Sequence, residues 1–288
     1  GVHLGHHALI NELKILGLRY SLPTTIMTFE PYPWEYFQAS NKLPRLTTLP
    51  EKLELFENVG IDRVVCLEFN RDLANTSPVE FVNDYLVWKL KVRCLVLGAD
   101  FRFGKDRAGS IDSLNKLGML HDFDVITVDE VMSAGRRVSS SGIRLALQNK
   151  DLDLARKLLG RRYTLGGTVT VGDQRGREWG FPTANIDLDA KDTPLRGVFA
   201  VLVHGLEGQP QMGITNLGSR PTVSGQKFLL ETHIFDFNKD IYGEKIRVEF
   251  CDWMRDERKF DGPAALKEQV KKDIQDVRNY FELNTRDD

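Results

Sequence analysis

After about residue 160 the chain stops alternating between helix and strand. Before that point, apolar residues recur at helical spacing over 9–18, 49–59, 79–90, 111–120 and 143–148, and then on to Leu159. Between those stretches lie short apolar runs at 24–29, 63–67, 93–97 and 124–128 with little polar alternation. Helices interleaved with such runs predict a parallel sheet covered on both faces. From Tyr163 the runs 168–171, 197–203, 211–215, 228–235 and 245–250 are separated by glycine-rich turns with no helix between them. That grammar predicts an antiparallel barrel or sandwich. A last helix follows over 263–277, with Leu266, Val270, Ile274 and Val277 on one face. The chain therefore divides into an α/β domain over 1–160 and a β-barrel domain with a terminal helix over 161–288.

A length of 288 residues suffices for two such cores. The net charge of -2 supplies no field that would draw the protein to nucleic acid or anionic lipid. No segment approaches the roughly 20 apolar residues that span a bilayer. The expected partners are small molecules, without nucleic acid or membrane. Cys66, Cys94 and Cys251 are widely spaced and odd in number, which suits buried, reduced thiols in the cytoplasm better than a disulfide framework or a zinc site.

His3-Leu4-Gly5-His6 opens the first helical run. Two imidazoles beside the unpaired N–H groups of a helix start make a phosphate site, where hydrogen bonds and the helix dipole both favour an anion. The plainer alternative is a pair of ordinary turn and first-turn residues. Metal ligation is a poor fit, because no third ligand has suitable spacing. In a parallel sheet, ligands bind beyond the carboxyl ends of the strands. The loops expected there are 30–33, 98–105 and 139–144. In the last of them Ser139, Ser140 and Ser141 bring hydroxyls to a helix start and Arg144 adds a guanidinium, a second phosphate cradle.

In the second half, Gly172, Gly176 and Gly180 allow sharp turns that present N–H groups to an anion. Thr183 and Asn185, two apart, fall on one side of an extended segment. A pair of ordinary barrel turns is the competing reading. The stretch is not a P-loop, since the terminal glycine-lysine-serine/threonine is missing.

Taken together, these motifs resemble the bacterial bifunctional riboflavin kinase and FAD synthetase family over essentially the whole chain. His3-Leu4-Gly5-His6 is similar to the histidine-x-glycine-histidine motif of nucleotidylyltransferases, which implies a Rossmann-like fold for the first half. Ser139-Ser140-Ser141-Gly142-Ile143-Arg144 matches the second motif, with Ser141 in place of threonine, and Gly98 to Gly104 matches a flavin loop. Tyr32 stands where histidine is common. The family places a strand and a glycine-x-phenylalanine-aspartate turn before the first motif, and the resemblance implies that this first strand is missing here. Gly180-Phe181-Pro182-Thr183-Ala184-Asn185 resembles the riboflavin kinase signature, with Trp179 in place of leucine.

The resemblance implies two ATP-dependent steps. In the first, Glu231 is the general base for the ribityl 5′-hydroxyl of riboflavin, which attacks the γ-phosphorus of ATP to give FMN and ADP. An ordinary glutamate, with a pKa of about 4.3, is ionised for that task. Thr183 and Asn185 would hold Mg²⁺ and the ATP phosphates, with Gly172 and Gly180 shaping the cradle. In the second, FMN attacks the α-phosphorus of ATP, giving FAD and pyrophosphate. His3, His6 and Arg144 would stabilise the developing charge, with Gly5, Ser139, Ser140 and Ser141 around the phosphates. Asp100, Phe101 and Phe103 would meet flavin in this domain, and Arg220, Arg255 and Phe260 in the other. Flavins are then substrates and products, not prosthetic groups. The alternative is a riboflavin kinase whose N-terminal domain only binds nucleotide or flavin.

Overall fold

The computed structural model describes residues 1–37, 43–172, 175–188, 193–222 and 225–284. It separates into two compact units, one of residues 1–43 with 48–139, the other of 44–47 with 140–288.

The first unit runs α1 (Leu4–Tyr20), β1 (Thr25–Glu30), α2 (Leu49–Asn58), β2 (Arg63–Glu68), β3 (Cys94–Gly98), α3 (Ile111–His121) and β4 (Asp124–Val128). Helix starts are set by local chemistry. Thr48 and Glu51 cap α2 reciprocally, with Pro50 in its first turn, and Ser110 and Ser113 do the same for α3. β1 lies parallel to β2 with Thr25 opposite Arg63, and β3 lies parallel to β4 with Cys94 opposite Asp124. Phe81, Val82, Leu86, Phe103, Leu114 and Phe123 form a buried cluster against Phe29, Leu67, Leu95 and Leu97. The helix expected over 79–90 is wound wide at Val82–Lys89, where Leu90 N–H reaches back five residues to Tyr85 O.

Among the described residues the two parallel pairs do not join into one sheet. A cavity of about 1510 Å³ has Met27 and Phe29 of β1, Leu95 and Leu97 of β3, and Leu9 and Leu13 of α1 on its walls. Every residue of β1 and β3 is accordingly only half-buried.

The second unit begins with α4 (Ser140–Gln148) and α5 (Leu152–Leu159). Asp151 caps α5 through Leu154 N–H at 2.9 Å, and Gly160, at φ 78, ends it. The strands β5 (Thr164–Thr168), β6 (Ala184–Leu188), β7 (Gly197–His204), β8 (Gln211–Thr222), β9 (Gly225–Ile234) and β10 (Lys245–Arg255) follow, then α6 (Pro263–Asn284). Neighbours in the order β5, β10, β7, β8, β9, β6 are all antiparallel. The chain beyond β5 bridges Thr170 to Asn185 of β6, with Thr170 N–H donating to Asn185 O at 2.8 Å. That bridge nearly closes the barrel. Phe199, Val201, Leu217, Leu230, Val248 and Phe250 are fully buried. On the other face of β7, Val198 and Ala200 pack with Ile214, Phe235, Val277 and Phe281 under α6.

Two expectations shift here. The first barrel strand lies at 164–168 and not 168–171, and 184–188, read only as an extended motif, is a full strand. The three cysteines are unpaired, but Cys66 is exposed and the other two are only half-buried. Cys66 sits on β2, which among the described residues pairs only with β1 and turns Cys66 and Glu68 toward solvent.

Candidate active sites

The barrel register assembles one polar row. Glu231 of β9 is opposite Asn185 of β6 on one side and opposite Asn216 of β8 on the other. Directly paired residues share a face, so all three side chains leave the barrel together, while Leu230 and Thr232 point into the core. Thr183 joins the row through Asn185, whose Nδ2 donates to Thr183 O at 3.1 Å. Among the described residues the amide oxygen of Asn185 has no hydrogen-bond donor. Gly172 lies against this amide, since a Cβ there would stand 2.5 Å from Asn185 Nδ2. Gly180, at φ 86, makes the turn leading to Phe181 and Pro182. His233 Nδ1 lies 2.8 Å from Pro182 O, and a carbonyl only accepts, so Nδ1 carries the proton and ties this loop to β9.

Glu257 closes the far end of the row. Its carboxylate hydrogen-bonds the Asn216 side chain and occupies the space where a Cβ of Gly218 would be. Burial pushes the Glu257 carboxyl up, and the Glu231 charge adds to this, against Arg196 and the Asn216 bond. Asn216 and Glu257 fall in the stretches 213–222 and 255–260, which resemble the riboflavin kinase family, but the sequence assigned no role to either. The row becomes visible only when β8 and β9 are aligned.

The three residues expected to meet flavin in this unit have separate fates. Arg255 is held by the buried Asp273 of α6, at 3.0 Å from Nε and 2.6 Å from Nη2, and fastens β10 to the helix. Phe260 lines a cavity of about 510 Å³ with Trp179, Pro263 and Leu266. Arg220 is on β8, and its side chain lies outside the described residues.

In the first unit, His3 sits at the N-cap of α1 and His6 in its first turn, with ring centroids 4.0 Å apart. Gly5 eases this approach, because a Cβ there would press on the His3 ring at 3.1 Å. His6 Nδ1 accepts from His3 N–H at 3.4 Å, which leaves Nε2 as the protonated nitrogen. Burial, and then the positive groups of His3, the N-terminus, His7 and Lys52, lower the His6 pKa to about 3. His6 is therefore a neutral hydrogen-bond donor at ordinary pH.

Lys52 is a residue that the sequence reading passed over. It lies on α2 at 5% exposure, its Nζ donating to Thr28 Oγ1 at 3.0 Å and lying 4.2 Å from the centre of the Tyr32 ring. Burying an ammonium costs several kcal/mol. A hydroxyl bond of about 1 kcal/mol and a cation–π contact of about 2 kcal/mol offset part of that. Helical spacing alone reads Lys52 as a solvated surface charge.

Asp100 is paired with Arg137 at 2.5 Å, and this bond holds its carboxyl below the usual range. Phe103 is in the core, 5.8 Å from Phe81 and stacked on Phe101. Ser139 closes the first unit. In the second, Ser140 and Ser141 open α4, and Arg144 Nε donates to Pro44 O at 2.7 Å.

Comparison with known proteins agrees with this division. The family model for FAD synthetase matches residues 1–142, and that for riboflavin kinase matches 159–281. A bifunctional riboflavin kinase/FMN adenylyltransferase of Escherichia coli strain K12 is 41% identical over 283 residues, covering 98% of this chain and 90% of that protein. Its counterpart in Haemophilus influenzae is 39% identical over 281 residues, covering 98% and 91%. A solved structure described as a macrolide-efflux protein from Streptococcus pneumoniae superposes with a TM-score of 0.81 at 30% identity, covering 96% of this chain and 90% of that one. No described helix here is long and apolar enough to cross a membrane. Two matching halves in one chain, and relatives aligned along almost all of it, show that this protein belongs to the bifunctional riboflavin kinase/FMN adenylyltransferase family.

Proposed function

We propose that the protein phosphorylates riboflavin to FMN on the barrel and adenylylates FMN to FAD in the α/β domain, using ATP in both steps. The observation that carries this is the row Asn185, Glu231 and Asn216, set by strand register with Thr183 beside it. In the kinase step Glu231 takes the proton of the ribityl 5′-hydroxyl as that oxygen bonds to the γ-phosphorus and ADP departs. Thr183 and Asn185, near Gly172 and Gly180, hold the triphosphate. Their hydroxyl and amide oxygens are hard donors of the kind Mg²⁺ prefers, so these residues would hold it. Bound there, Mg²⁺ would supply neutralisation of phosphate charge. Trp179 and Phe260 offer an aromatic cleft for the flavin ring, Arg220 lies on the same barrel, and Arg255 fixes the segment leading to Phe260.

In the adenylyl step an FMN phosphate oxygen attacks the α-phosphorus and pyrophosphate leaves, so no enzyme nucleophile is needed. His3 and His6 donate to phosphate oxygens at the start of α1, and Ser139, Ser140, Ser141 and Arg144 form the second cradle. Phe101 faces the flavin, while Phe103 and Asp100 fix its loop through Phe81 and Arg137. Domain limits of 1–160 and 161–288 would assign both α4 and α5 to the first domain, whereas the compact unit ends at 139. The partners are riboflavin, FMN, FAD, ATP, ADP and pyrophosphate, with no nucleic acid and no membrane. Three unpaired thiols support a cytoplasmic enzyme.

Incubation with riboflavin, ATP and Mg²⁺, followed by separation of the flavins, tests both steps, and absence of FMN would overturn the kinase assignment. The separation of the β1–β2 and β3–β4 pairs around an apolar cavity favours a second reading, a kinase whose α/β domain only binds nucleotide or flavin. Supplying FMN with ATP decides between them, because only the catalytic domain releases pyrophosphate.

A further inference from the structure

His6 is neutral, so it can orient a phosphate but brings no charge to it. The first unit does hold a cation in the right place. Lys52 is among the positive groups that disfavour a proton on His6, and it reaches Thr28 near the carboxyl end of β1, the end at which parallel sheets bind ligands. The ammonium has three donors, and among the described residues Thr28 Oγ1 is its one hydrogen-bond partner. No described carboxylate lies within ion-pair distance of it, whereas Glu35, also buried, accepts from Tyr32 N–H. The Tyr32 ring holds one side of the ammonium at 4.2 Å. A buried charge met by a hydroxyl and a ring, with donors to spare, is preorganised for an anion that arrives with the substrate.

We propose that Lys52 is a substrate-binding residue of the adenylyl-transfer site, its ammonium meeting a phosphate group bound at the start of α1, with Thr28 and Tyr32 as its positioning partners. The inference rests on the adenylyltransferase reading above and deepens it. The phosphate can belong to the ATP triphosphate or to FMN, and the two sources are separable by kinetics.

The test uses the full chain with Lys52→Met, which keeps the length and apolar stem, and Lys52→Arg, which keeps the charge. Pyrophosphate release is followed while ATP and FMN are varied in turn, and riboflavin phosphorylation serves as the measure of intact folding. Lys52→Met should lower kcat/KM for FAD formation on the order of thirtyfold, the worth of one charge-assisted hydrogen bond, and leave riboflavin phosphorylation unchanged. Lys52→Arg should recover part of the loss. A rise confined to the KM for ATP assigns the triphosphate, and one confined to FMN assigns the flavin phosphate. The melting temperature with added pyrophosphate is a second readout: the native chain should gain, and Lys52→Met should gain less. FAD formation by Lys52→Met within twofold of native overturns the proposal. If the native chain releases no pyrophosphate from FMN and ATP, the adenylyltransferase reading fails instead, and an equal pyrophosphate shift in both chains then overturns the role of Lys52.

Discussion

Asn185 and Glu231 are register partners across β6 and β9, and their side chains leave the barrel on the same face. In the proposed kinase step, a phosphate at Asn185 and a hydroxyl at Glu231 would therefore be brought together by backbone hydrogen bonds, not by a mobile loop. Replacing Glu231 with Gln keeps the shape and removes the proton acceptor. FMN formation should fall by about 10² to 10⁴, the usual worth of a general base, with little change in the KM for riboflavin. Separation of flavins after timed incubation checks this, and a variant with native turnover sinks the base assignment.

Gly172 tests the other end of the row. A Cβ at this position would stand 2.5 Å from Asn185 Nδ2 and 2.9 Å from Oδ1, so Gly172→Ala must displace the amide or the turn. The barrel core does not depend on this contact. The KM for ATP in FMN formation should rise about tenfold, roughly one neutral hydrogen bond lost, while the melting temperature changes little. Steady-state kinetics at varied ATP, paired with thermal unfolding, checks both parts.

The elements that the sequence displayed plainly are those whose stability is local. Helices 49–58 and 111–121 carry their caps, Thr48 with Glu51 and Ser110 with Ser113, within the same few residues. The candidate sites were legible as motifs where the residues are contiguous, as in Thr183 to Asn185 or His3 to His6. They were hidden where cross-strand pairing makes them. Asn216 and Glu257 come from separate strands or loops, and only register brings them beside Glu231. Lys52 was hidden for a different reason: a lysine at helical spacing looks solvated until its burial against Thr28 and Tyr32 is known. Arg255 shows the converse, a motif residue whose guanidinium is used by Asp273 to fasten α6.

That last pair makes a stability prediction. The side chains of Arg255 and Asp273 are 18% and 5% exposed, and Gln269 also donates to Asp273 at 2.7 Å. Removing one partner leaves an uncompensated charge under α6. Asp273→Ala should destabilise the folded chain by about 3–5 kcal/mol, the cost of breaking a buried pair. Urea unfolding followed by the signal of the barrel unit checks it. A loss under about 1 kcal/mol, the range of exposed pairs, would show that the ion pair is solvated.

His6 makes stability depend on pH in a defined direction. Its ordinary pKa of 6.5 is lowered in the folded chain to about 3, first by burial and then by the neighbouring positive groups. Between those two values the unfolded chain binds a proton at this position and the folded chain does not. Stability is therefore complete above the unfolded pKa and falls as the pH drops through that window, by up to about 1.4 kcal/mol per pH unit from this one group. His6→Gln keeps a hydrogen-bonding side chain and cannot be charged, so it should flatten the slope between about pH 6 and pH 4. Urea midpoints for both chains across that range measure the difference. Carboxylates titrating at the lower end contribute equally to both chains and cancel in the comparison. Identical slopes would mean that His6 accepts its proton in the folded state, and that the α1 imidazoles supply charge as well as direction to a bound phosphate.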